Sequence, residues 1–287
     1  LIHTCAQRGL PVHLVNARMS ERSLRKALRQ RALALPAYGR LTGVLAQTEA
    51  DAQRLCQLGA PVTAVMGNLK YDIQIDPSQA ALGQQWRAGT QRPVVMFASS
   101  REGEEAQWLA LQDKISPQEQ ASVQWLVVPR HPQRFDEVHD LLVAQGLSVV
   151  RRSNWDLGQP LPVHADNVPV WLGDSVGEMP VYFQSADMAL LGGSFMPLGG
   201  QNLIEAAAFG CPVIMGPHTF NFAEAAQNAE QAGAAVRVNG MDGALDQVME
   251  WLRQPQDLAK ARQKGLDLVA QSRGAAQRYA QAITRGA

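Results

Sequence analysis

Residues 188–205 read MALLGGSFMPLGGQNLIE, an apolar strand followed by a glycine-rich loop and the start of a helix. The strand over residues 188–191 is short and wholly apolar, as is typical of a central strand in a parallel sheet. The glycines allow backbone N–H groups to approach a ligand closely, and the helix from about Asn202 points its positive end at the same loop. The pattern predicts a phosphate site, with Glu205 one turn inside the helix and within reach of a ribose.

A second interpretation of this stretch stays open. Glycines followed by a glutamate are also compatible with a plain tight turn between a strand and a helix, in which Glu205 lies in solvent. A dinucleotide-binding fingerprint is excluded, because the chain contains no G-x-G-x-x-G. The loop therefore indicates either a sugar-nucleotide site or a purely structural turn.

The rest of the chain repeats the alternation of short apolar strands and helices. With short connections, this order predicts an α/β protein with doubly wound parallel sheets. We predict two Rossmann-like domains: residues 1–74, which form the remainder of an incomplete first domain, and residues 75–287, which form a complete second one. Pro77 is expected to open the first helix after a linker. Ligands of such sheets bind beyond the carboxyl ends of the strands, so these loops are the candidates for a site.

The composition is that of a globular protein without a global charge. Because 26 Lys or Arg balance 26 Asp or Glu, the chain has no net positive charge that would attract nucleic acid. The three cysteines are widely spaced, which argues against a disulfide framework or a zinc site and favours a reducing cytoplasm. No apolar run is long enough to span a membrane, and no signal peptide is present. Since the chain begins with Leu1 inside a helical pattern, we expect it to be part of a longer protein.

Hydroxyls and a guanidinium follow the predicted strand at residues 94–98. Ser99 and Arg101 are placed to bind a sugar carboxylate or a phosphate. The alternative is a serine N-cap with glutamates that complement the helix dipole. The sequence alone leaves both interpretations open.

An arginine between two prolines follows the predicted strand at residues 123–128. Pro129 and Pro132 flank the dipeptide Arg130-His131, so the guanidinium is stiffly presented to an anion or a base. The alternative is a surface ion pair of Arg130 with Asp136 or Glu137.

The predicted strand at residues 168–172 leads into a third candidate loop. Gly177 would let backbone amide and carbonyl groups contact the edge of a nucleobase, while Glu178 begins a helix. The alternative is a plain turn capped by Asp174 or Ser175.

Lys70 is the candidate for stabilising a leaving phosphate as negative charge develops. Its alternative is an exposed lysine paired with Asp72. The chain lacks an Asp-x-Asp pair of the kind that holds a divalent metal with a nucleotide diphosphate. Phosphate charge would then be met by Lys70, Arg101, Arg130 and the helix start near Asn202, so we predict a metal-independent reaction.

Basic residues cluster along a predicted helix at residues 20–33, with Glu21 as the single opposing charge. Leucines recur at helical spacing on another side of it. Such an amphipathic segment suits an anionic membrane surface. A solvated helix face is the alternative. The basic residues are Arg18, Arg22, Arg25, Lys26, Arg29 and Arg31.

Taken together, these motifs resemble the 3-deoxy-D-manno-octulosonic acid (Kdo) transferases of lipopolysaccharide synthesis. The resemblance implies a GT-B fold and transfer of Kdo from CMP-Kdo to the lipid A precursor (lipid IVA), at the cytoplasmic face of the bacterial inner membrane. It implies no cofactor and no nucleic-acid partner. The similar strings follow the family's order over essentially the whole chain, at residues 16–20, 67–72, 99–105, 128–132, 173–178, 192–205 and 216–222.

The resemblance also assigns roles to residues. Lys70 is similar to the family's transition-state stabiliser. Two positions depart from the family pattern: Gln201 stands where His is usual and Ser100 where Thr is common, and both keep a hydrogen-bonding group. The positions that resemble CMP contacts are Pro129, Arg130, Val176, Gly177, Glu178, Asn202, Leu203, Ile204 and Glu205.

The resemblance implies that the family's general base, a Glu, would lie well before Leu1 and that a second acidic stabiliser would lie just upstream of Leu1. The family's membrane-anchoring start would also precede this chain. We therefore expect this chain to carry the nucleotide-binding parts without the base. Two alternatives remain at this stage: a catalytically silent nucleotide-binding fragment, and another GT-B enzyme that uses a UDP sugar.

Overall fold

The computed structural model describes residues 1–112, 115–155 and 170–285. The chain divides into two compact units. Unit 1 contains Leu1–Asp72 together with the chain from Gln271 onward, and unit 2 contains Ile73–Ala270. The first boundary lies close to the predicted one at residue 74. The end of the chain differs, because the predicted second domain ran to residue 287 whereas the final helix packs in unit 1.

All strands in the described part of the chain belong to two parallel sheets. The strands of unit 1 are β1 (His13–Ala17), β2 (Gly43–Ala46) and β3 (Val62–Val65). The strands of unit 2 are β4 (Val94–Ser100), β5 (Gln124–Pro129), β6 (Val149–Arg151), β7 (Val170–Leu172), β8 (Met188–Leu191), β9 (Val213–Met215) and β10 (Ala235–Arg237). The predicted parallel α/β architecture is confirmed. Residues 168 and 169 of the strand predicted before the third loop lie outside the described residues.

Helices connect these strands and cover the sheets. They are α1 (Ile2–Gln7), α2 (Glu21–Arg29), α3 (Arg31–Tyr38), α4 (Glu49–Cys56), α5 (Pro77–Ala88), α6 (Glu104–Gln112), α7 (Pro117–Ala121), α8 (Phe135–Ala144), α9 (Met179–Ser185), α10 (Ile204–Ala208), α11 (Ala223–Ala232), α12 (Met241–Arg253), α13 (Pro255–Ser272) and α14 (Ala275–Arg285). Pro77 opens α5 as predicted, behind the N-cap Asp76, whose carboxylate accepts the N–H of Ser78.

The predicted helix at residues 20–33 is two helices. Ser20 caps α2 by accepting the N–H of Ser23, and the chain leaves helical geometry at Gln30, where φ is −109° and ψ is 38°. The next helix, α3, then runs through Pro36 to Tyr38. Periodicity predicted the helical segment correctly but missed the break, because no glycine or proline marks Gln30.

Unit 1 has two small cores. The larger cluster packs the sheet against α2 and α4 through Leu24, Val44 and Leu55. The smaller cluster packs Leu45 of β2 against Ala275 and Tyr279 of α14. The last helix thus shares a core with the first three strands, which is why the chain end belongs to unit 1.

The sheet of unit 2 has seven strands in the order β10-β9-β8-β4-β5-β7-β6. The chain begins this sheet at β4 and adds β5, β6 and β7 on one side, with β7 between β5 and β6. It then returns to add β8, β9 and β10 on the other side of β4. The direction reverses between β4 and β8, and in open α/β sheets ligands bind outside the carboxyl ends of the strands at such a point. Both strands are fully apolar where they pair, with Phe97 and Leu190 at 0% exposure.

Candidate functional site

The loops after β4 and β8 touch each other at this switch point. A Cβ added to Gly192 would collide with the carbonyl group of Ser99, so glycine is required there by close approach of the two chains. Ser99 itself has a positive φ of 56°, an uncommon conformation for a residue with a side chain. The two loops therefore form one tight structure at the position where the sequence predicted a site.

The first half of the glycine loop does not offer its N–H groups to a ligand. Glu104, at the start of α6, accepts the N–H groups of Gly193 (2.7 Å), Phe195 (3.0 Å) and Met196 (3.3 Å) through its carboxylate. The protein's own carboxylate therefore fills this part of the loop, and a phosphate at the predicted site would have to bind to the rest of it. Burial raises the pKa of Glu104, and these N–H bonds oppose that rise.

The second half of the loop leads into the segment that resembles a CMP contact. The N–H groups of Asn202 and Leu203 have no acceptor within the described residues, while the Asn202 side chain accepts the N–H of Ile204 at 3.2 Å. Glu205 lies in the first turn of α10 rather than one turn inside, because the helix begins at Ile204. With five residues, α10 supplies a weaker dipole than the helix predicted over residues 202–209. Burial raises the pKa of the half-buried Glu205 carboxyl.

Arg130 lies beside this loop. Its Nε donates to Oε1 of Gln201 at 3.2 Å, and its backbone N–H donates to the carbonyl of Ser100 at 3.0 Å. The guanidinium is exposed, whereas Pro129, the last residue of β5, is buried. The alternative partners predicted for Arg130 are engaged elsewhere, since Asp136 pairs with Arg151 and Glu137 with Arg134.

Arg101 is the second cation at the switch point. A Cβ added to Gly193 would lie 3.2 Å from Nε2 of Gln201 and 3.6 Å from Cγ of Arg101, so both side chains lie close to this glycine. Arg101 is held by Glu102 at 2.9 Å. Ser100 donates to the buried Glu105 at 2.7 Å, so Ser100 has a structural role in this loop.

The third loop follows β7, next to β5 in the sheet. Glu178 is fully engaged by the protein: Arg152 donates to one carboxylate oxygen at 2.7 Å and Ser175 donates to the other. Gly177 has a φ of 84° and its carbonyl accepts the side-chain amide of Gln79 at 3.0 Å, while Val176 is 77% exposed. The side chain of Glu178 thus shapes the loop, and the backbone at residues 176 and 177 is the part that faces outward.

Lys70 lies in unit 1, on a short 3-10 helix at Leu69–Tyr71, with an exposed side chain. The N–H of Leu69 donates to the side chain of Asn16 at 3.3 Å, and Asn68 caps the turn. The other predicted site residues lie in unit 2.

The basic residues predicted for a membrane surface are all exposed. They are Arg18, Arg22, Arg25, Lys26, Arg29 and Arg31. Residues of α2 and α3 line an open surface groove of about 350 Å³, among them Lys26 and Leu33, together with Gln30 between the helices, and Leu33 is 74% exposed. Helices of the described residues lack the length and hydrophobicity of a membrane span. Within the same residues, no group of three or more His, Cys, Asp or Glu side chains is arranged to hold a metal ion.

Some residues of the site were missed at the sequence level. Arg152, which binds Glu178 and lies 5.1 Å from the ring centroid of Trp86, follows β6 at the carboxyl end of the strand. Ligands of parallel sheets bind beyond the carboxyl ends of the strands, and applying this rule to β6 would have identified Arg152. Glu104 was interpreted as a helix cap, since nothing in the sequence indicates that its carboxylate reaches a loop some ninety residues away.

Comparisons with known proteins identify relatives of this chain. Residues 1–73 match the family model described as 3-deoxy-D-manno-octulosonic-acid transferase (kdotransferase). A protein of that name from Bordetella pertussis is 45% identical over 257 residues, covering 89% of this chain and 59% of the relative. Its namesake from Haemophilus influenzae is 31% identical over 285 residues, covering 97% of this chain and 65% of the relative.

A solved structure decides the family. The crystal structure of the C-terminal CMP-Kdo binding domain of WaaA from Acinetobacter baumannii is 30% identical, with a TM-score of 0.58, and the match covers 67% of this chain and 96% of that domain. The chain belongs to the Kdo transferase family. The resemblance drawn from the motifs is thereby confirmed. As a Kdo transferase family member, the chain spans 59% and 65% of the lengths of the two relatives above.

The chain also has the predicted GT-B glycosyltransferase fold, with parallel sheets of three and seven strands. HepE of Anabaena, in complex with UDP-glucose, matches 99% of this chain and 75% of its own, with a TM-score of 0.55. At 15% identity, that likeness concerns the fold alone.

Proposed function

We propose that this chain is the nucleotide-binding part of an inverting, metal-independent glycosyltransferase that moves Kdo from CMP-Kdo to a lipid A precursor, lipid IVA. The observation that carries the proposal is the hydrogen bond of Arg130 to Gln201 at the switch point of unit 2, with Arg101 close to Gly193 of the same loop. The fold of unit 2 matches a CMP-Kdo binding domain. Two exposed or half-exposed cations beside a close-packed glycine loop form a suitable site for a phosphate ester.

The phosphate of CMP would be bound by Arg130 and by the N–H groups at the start of the segment Asn202, Leu203, Ile204 and Glu205. Arg130 is already oriented by Gln201, which lowers the cost of ordering a long side chain on binding. Ser99 and Arg101 would bind the Kdo carboxylate or the same phosphate. Glu205, in the first turn of α10, would accept hydrogen bonds from the ribose.

The cytosine would be recognised by the backbone of Val176 and Gly177. Cytosine presents an amino donor where uracil presents a carbonyl acceptor, so a backbone carbonyl at this place favours cytosine. The interactions of Glu178 with Arg152 and Ser175 support this assignment, because they fix the loop and leave recognition to the main chain.

The reaction is a displacement at the anomeric carbon of Kdo. The acceptor hydroxyl oxygen forms a bond to that carbon, the bond from carbon to phosphate oxygen breaks, and the electron pair leaves with CMP. The proton of the hydroxyl passes to a general base. Lys70, as transition-state stabiliser, and Arg130 would balance the charge that develops on the phosphate.

We place this reaction at the cytoplasmic face of the bacterial inner membrane. The exposed basic residues of α2 and α3, with Leu33 beside them, support contact with an anionic lipid surface. Such a surface would bring unit 1 to its lipid acceptor.

Calorimetric titration of the 287-residue chain with CMP tests the nucleotide site. We expect Arg130→Ala to weaken CMP binding about tenfold or more, as loss of a charge-assisted contact does. Arg253→Ala is the matched control, because Arg253 is an exposed arginine of the same unit, on α12. The variant should leave CMP affinity unchanged.

Three outcomes would contradict the proposal. If Arg130→Ala and the parent chain bind CMP equally well, the phosphate does not bind at Arg130 and the proposed site is wrong. Preference for UMP over CMP would instead favour a GT-B enzyme that uses a UDP sugar. CMP binding without transfer in any longer form of the protein would favour a catalytically silent nucleotide-binding protein.

A further inference from the structure

We propose that Glu104 is a positioning residue for donor binding: its carboxylate holds the glycine loop in the shape that presents Gln201 and Arg130 to the nucleotide. The inference rests on the proposed function for its consequence, but its structural basis is independent. Glu104 does not contact the exposed face of the site, and it is 0% exposed.

The carboxylate joins two loops through backbone N–H groups alone. One oxygen accepts the N–H of Arg101 (3.0 Å) and of Gly193 (2.7 Å), and the other accepts those of Phe195 (3.0 Å) and Met196 (3.3 Å). A buried carboxylate with four such bonds is well satisfied, and each bond is charge-assisted. Glu104 is thus the point at which the loop after β4 and the loop after β8 are fastened together.

Successive N–H groups that converge in a turn form a concavity that binds anions. In this loop the concavity is already occupied by an internal anion. A ligand phosphate that entered it would have to displace Glu104, so the loop keeps the same shape with and without nucleotide. The phosphate is directed instead to the other side of the loop, where Arg130 lies with the N–H groups of Asn202 and Leu203, which have no acceptor within the described residues.

A short chain of contacts links the carboxylate to that side. Gly193 gives its N–H to Glu104, and its carbonyl accepts the N–H of Gly200 at 2.7 Å. Gly200 precedes Gln201, whose side-chain oxygen accepts from Arg130 at 3.2 Å. Because each step is a hydrogen bond or a covalent neighbour, release of Gly193 would let the loop carry Gln201 away from Arg130.

The variant Glu104→Gln tests this inference. The amide keeps the volume of the side chain but replaces one acceptor oxygen with a donor, which would face two of the four backbone N–H groups. We expect faster hydrogen–deuterium exchange at residues 193–196 and CMP affinity lower by about tenfold or more. The exchange measurement needs no nucleotide, so it tests the loop even if the chain binds no CMP.

Asp187→Asn is the matched control. Asp187 also accepts a backbone N–H, that of Val94 at 2.9 Å, and pairs with Arg87 at 2.8 Å. It lies at the amino ends of β4 and β8, the same two strands that carry the site at their other ends. A general loss of stability in unit 2 would affect both variants, whereas loss of positioning affects Glu104→Gln alone.

The outcomes separate the two proposals. If the parent chain binds no CMP, the proposed function fails, and the exchange at residues 193–196 still decides whether Glu104 holds the loop. If the parent binds CMP and Glu104→Gln binds it as well as Asp187→Asn does, the positioning role is overturned. If Glu104→Gln does not fold, Glu104→Asp replaces it, since it keeps the charge with a shorter reach; unchanged CMP affinity in that variant would equally overturn the role.

Discussion

The adjacent residues Glu104 and Glu105 show how the position of a side chain on a helix determines which groups it binds. Glu104 and Glu105 are both buried at the start of α6. Successive residues of a helix point about 100° apart, so the two carboxylates face different partners. Glu104 binds backbone N–H groups of the loops, while Glu105 pairs with the buried Arg134 at 2.9 Å and accepts from Ser100. Both serve the candidate site by holding the loops around it rather than by facing outward.

Lys70 carries the sharpest prediction at the scale of single residues. In a longer form of the protein that contains the general base, we expect Lys70→Ala to lower kcat by about 100-fold, because a cation that meets developing charge acts in the transition state. CMP affinity should change by less than about twofold, since ground-state binding does not depend on it. Steady-state transfer kinetics and calorimetry measure the two effects.

Lys260→Ala is the control for Lys70. Lys260 is an exposed lysine on α13 that pairs with Asp257 at 2.7 Å. Equal losses in turnover and in CMP affinity for Lys70→Ala would show that Lys70 binds the nucleotide in the ground state, and the assigned role would be lost.

At the scale of elements, the connection from β7 to α9 is held by one carboxylate. Asp174 accepts the N–H and the hydroxyl of Ser153 and pairs with Arg151 at 2.6 Å. Burial raises the pKa of Asp174, but the bonds from Ser153 and Arg151 outweigh burial and hold the pKa below its ordinary value. The carboxylate fastens the turn after β6 to the loop that leads to Gly177.

This lowered pKa sets the sign of a pH dependence. A carboxyl group with a depressed folded-state pKa stabilises the protein above its unfolded pKa of 3.8, and the contribution is lost as the pH falls through the lower folded pKa. We expect Asp174→Asn to lower the free energy of unfolding at pH 7 by about 2–3 kcal/mol. Urea unfolding should then show a smaller loss of stability between pH 5 and pH 2 for the variant than for the parent, taking that interval as roughly the titration range of such a carboxyl.

Ser153→Ala removes the hydroxyl that donates to Asp174 and keeps both the backbone N–H bond and the ion pair with Arg151. It should therefore reduce the pH dependence less than Asp174→Asn does. A parent-like pH dependence in Asp174→Asn would mean that the acid sensitivity of unit 2 arises from other carboxylates.

At the scale of the whole molecule, helix α14 packs in unit 1, although it is far from the rest of that unit in the sequence. Tyr279 is 4% exposed and donates its hydroxyl to the carbonyl of Gly67 at 2.9 Å. The guanidinium of Arg278 donates to the carbonyl of Met66 at 2.9 Å. Asp72 accepts the N–H groups of Gly274 and Ala276. Helix α14 thus supports, from within unit 1, the segment that carries Lys70.

Removal of one ring tests this support. We expect Tyr279→Ala to destabilise unit 1 by about 3 kcal/mol or more, the usual cost of truncating a buried aromatic side chain. Hydrogen–deuterium exchange should increase at residues 66–72 and stay unchanged in β4 of unit 2. The measurement is mass spectrometry of peptides from the 287-residue chain.

Tyr38→Ala provides the comparison, because Tyr38 packs on the other core cluster of unit 1. Tyr38→Ala should increase hydrogen–deuterium exchange in α2 and β2 more than at residues 66–72. If both variants raise exchange at residues 66–72 equally, α14 has no particular role there, and unit 1 responds as one cooperative body.

The sequence alone determined the class of fold and the family. Short apolar strands alternating with helices predicted parallel sheets, because strands covered on both faces must be apolar throughout and must be joined by helices. Glycines and charged residues immediately after strands predicted where the candidate site lies, because the carboxyl ends of parallel strands meet at one edge. These signals are local, so they can be recognised without knowing which segments become neighbours.

Only the tertiary structure decided which groups are used within the protein and which remain for a ligand. Glu104 accepts N–H groups in the first half of the glycine loop, Glu178 pairs with Arg152, and α14 packs in unit 1. Each of these facts depends on contacts between residues far apart in the chain, and a carboxylate looks the same in the sequence whether it meets solvent, a guanidinium or a buried N–H. Burial and partner geometry, which exist only in the folded chain, make that choice.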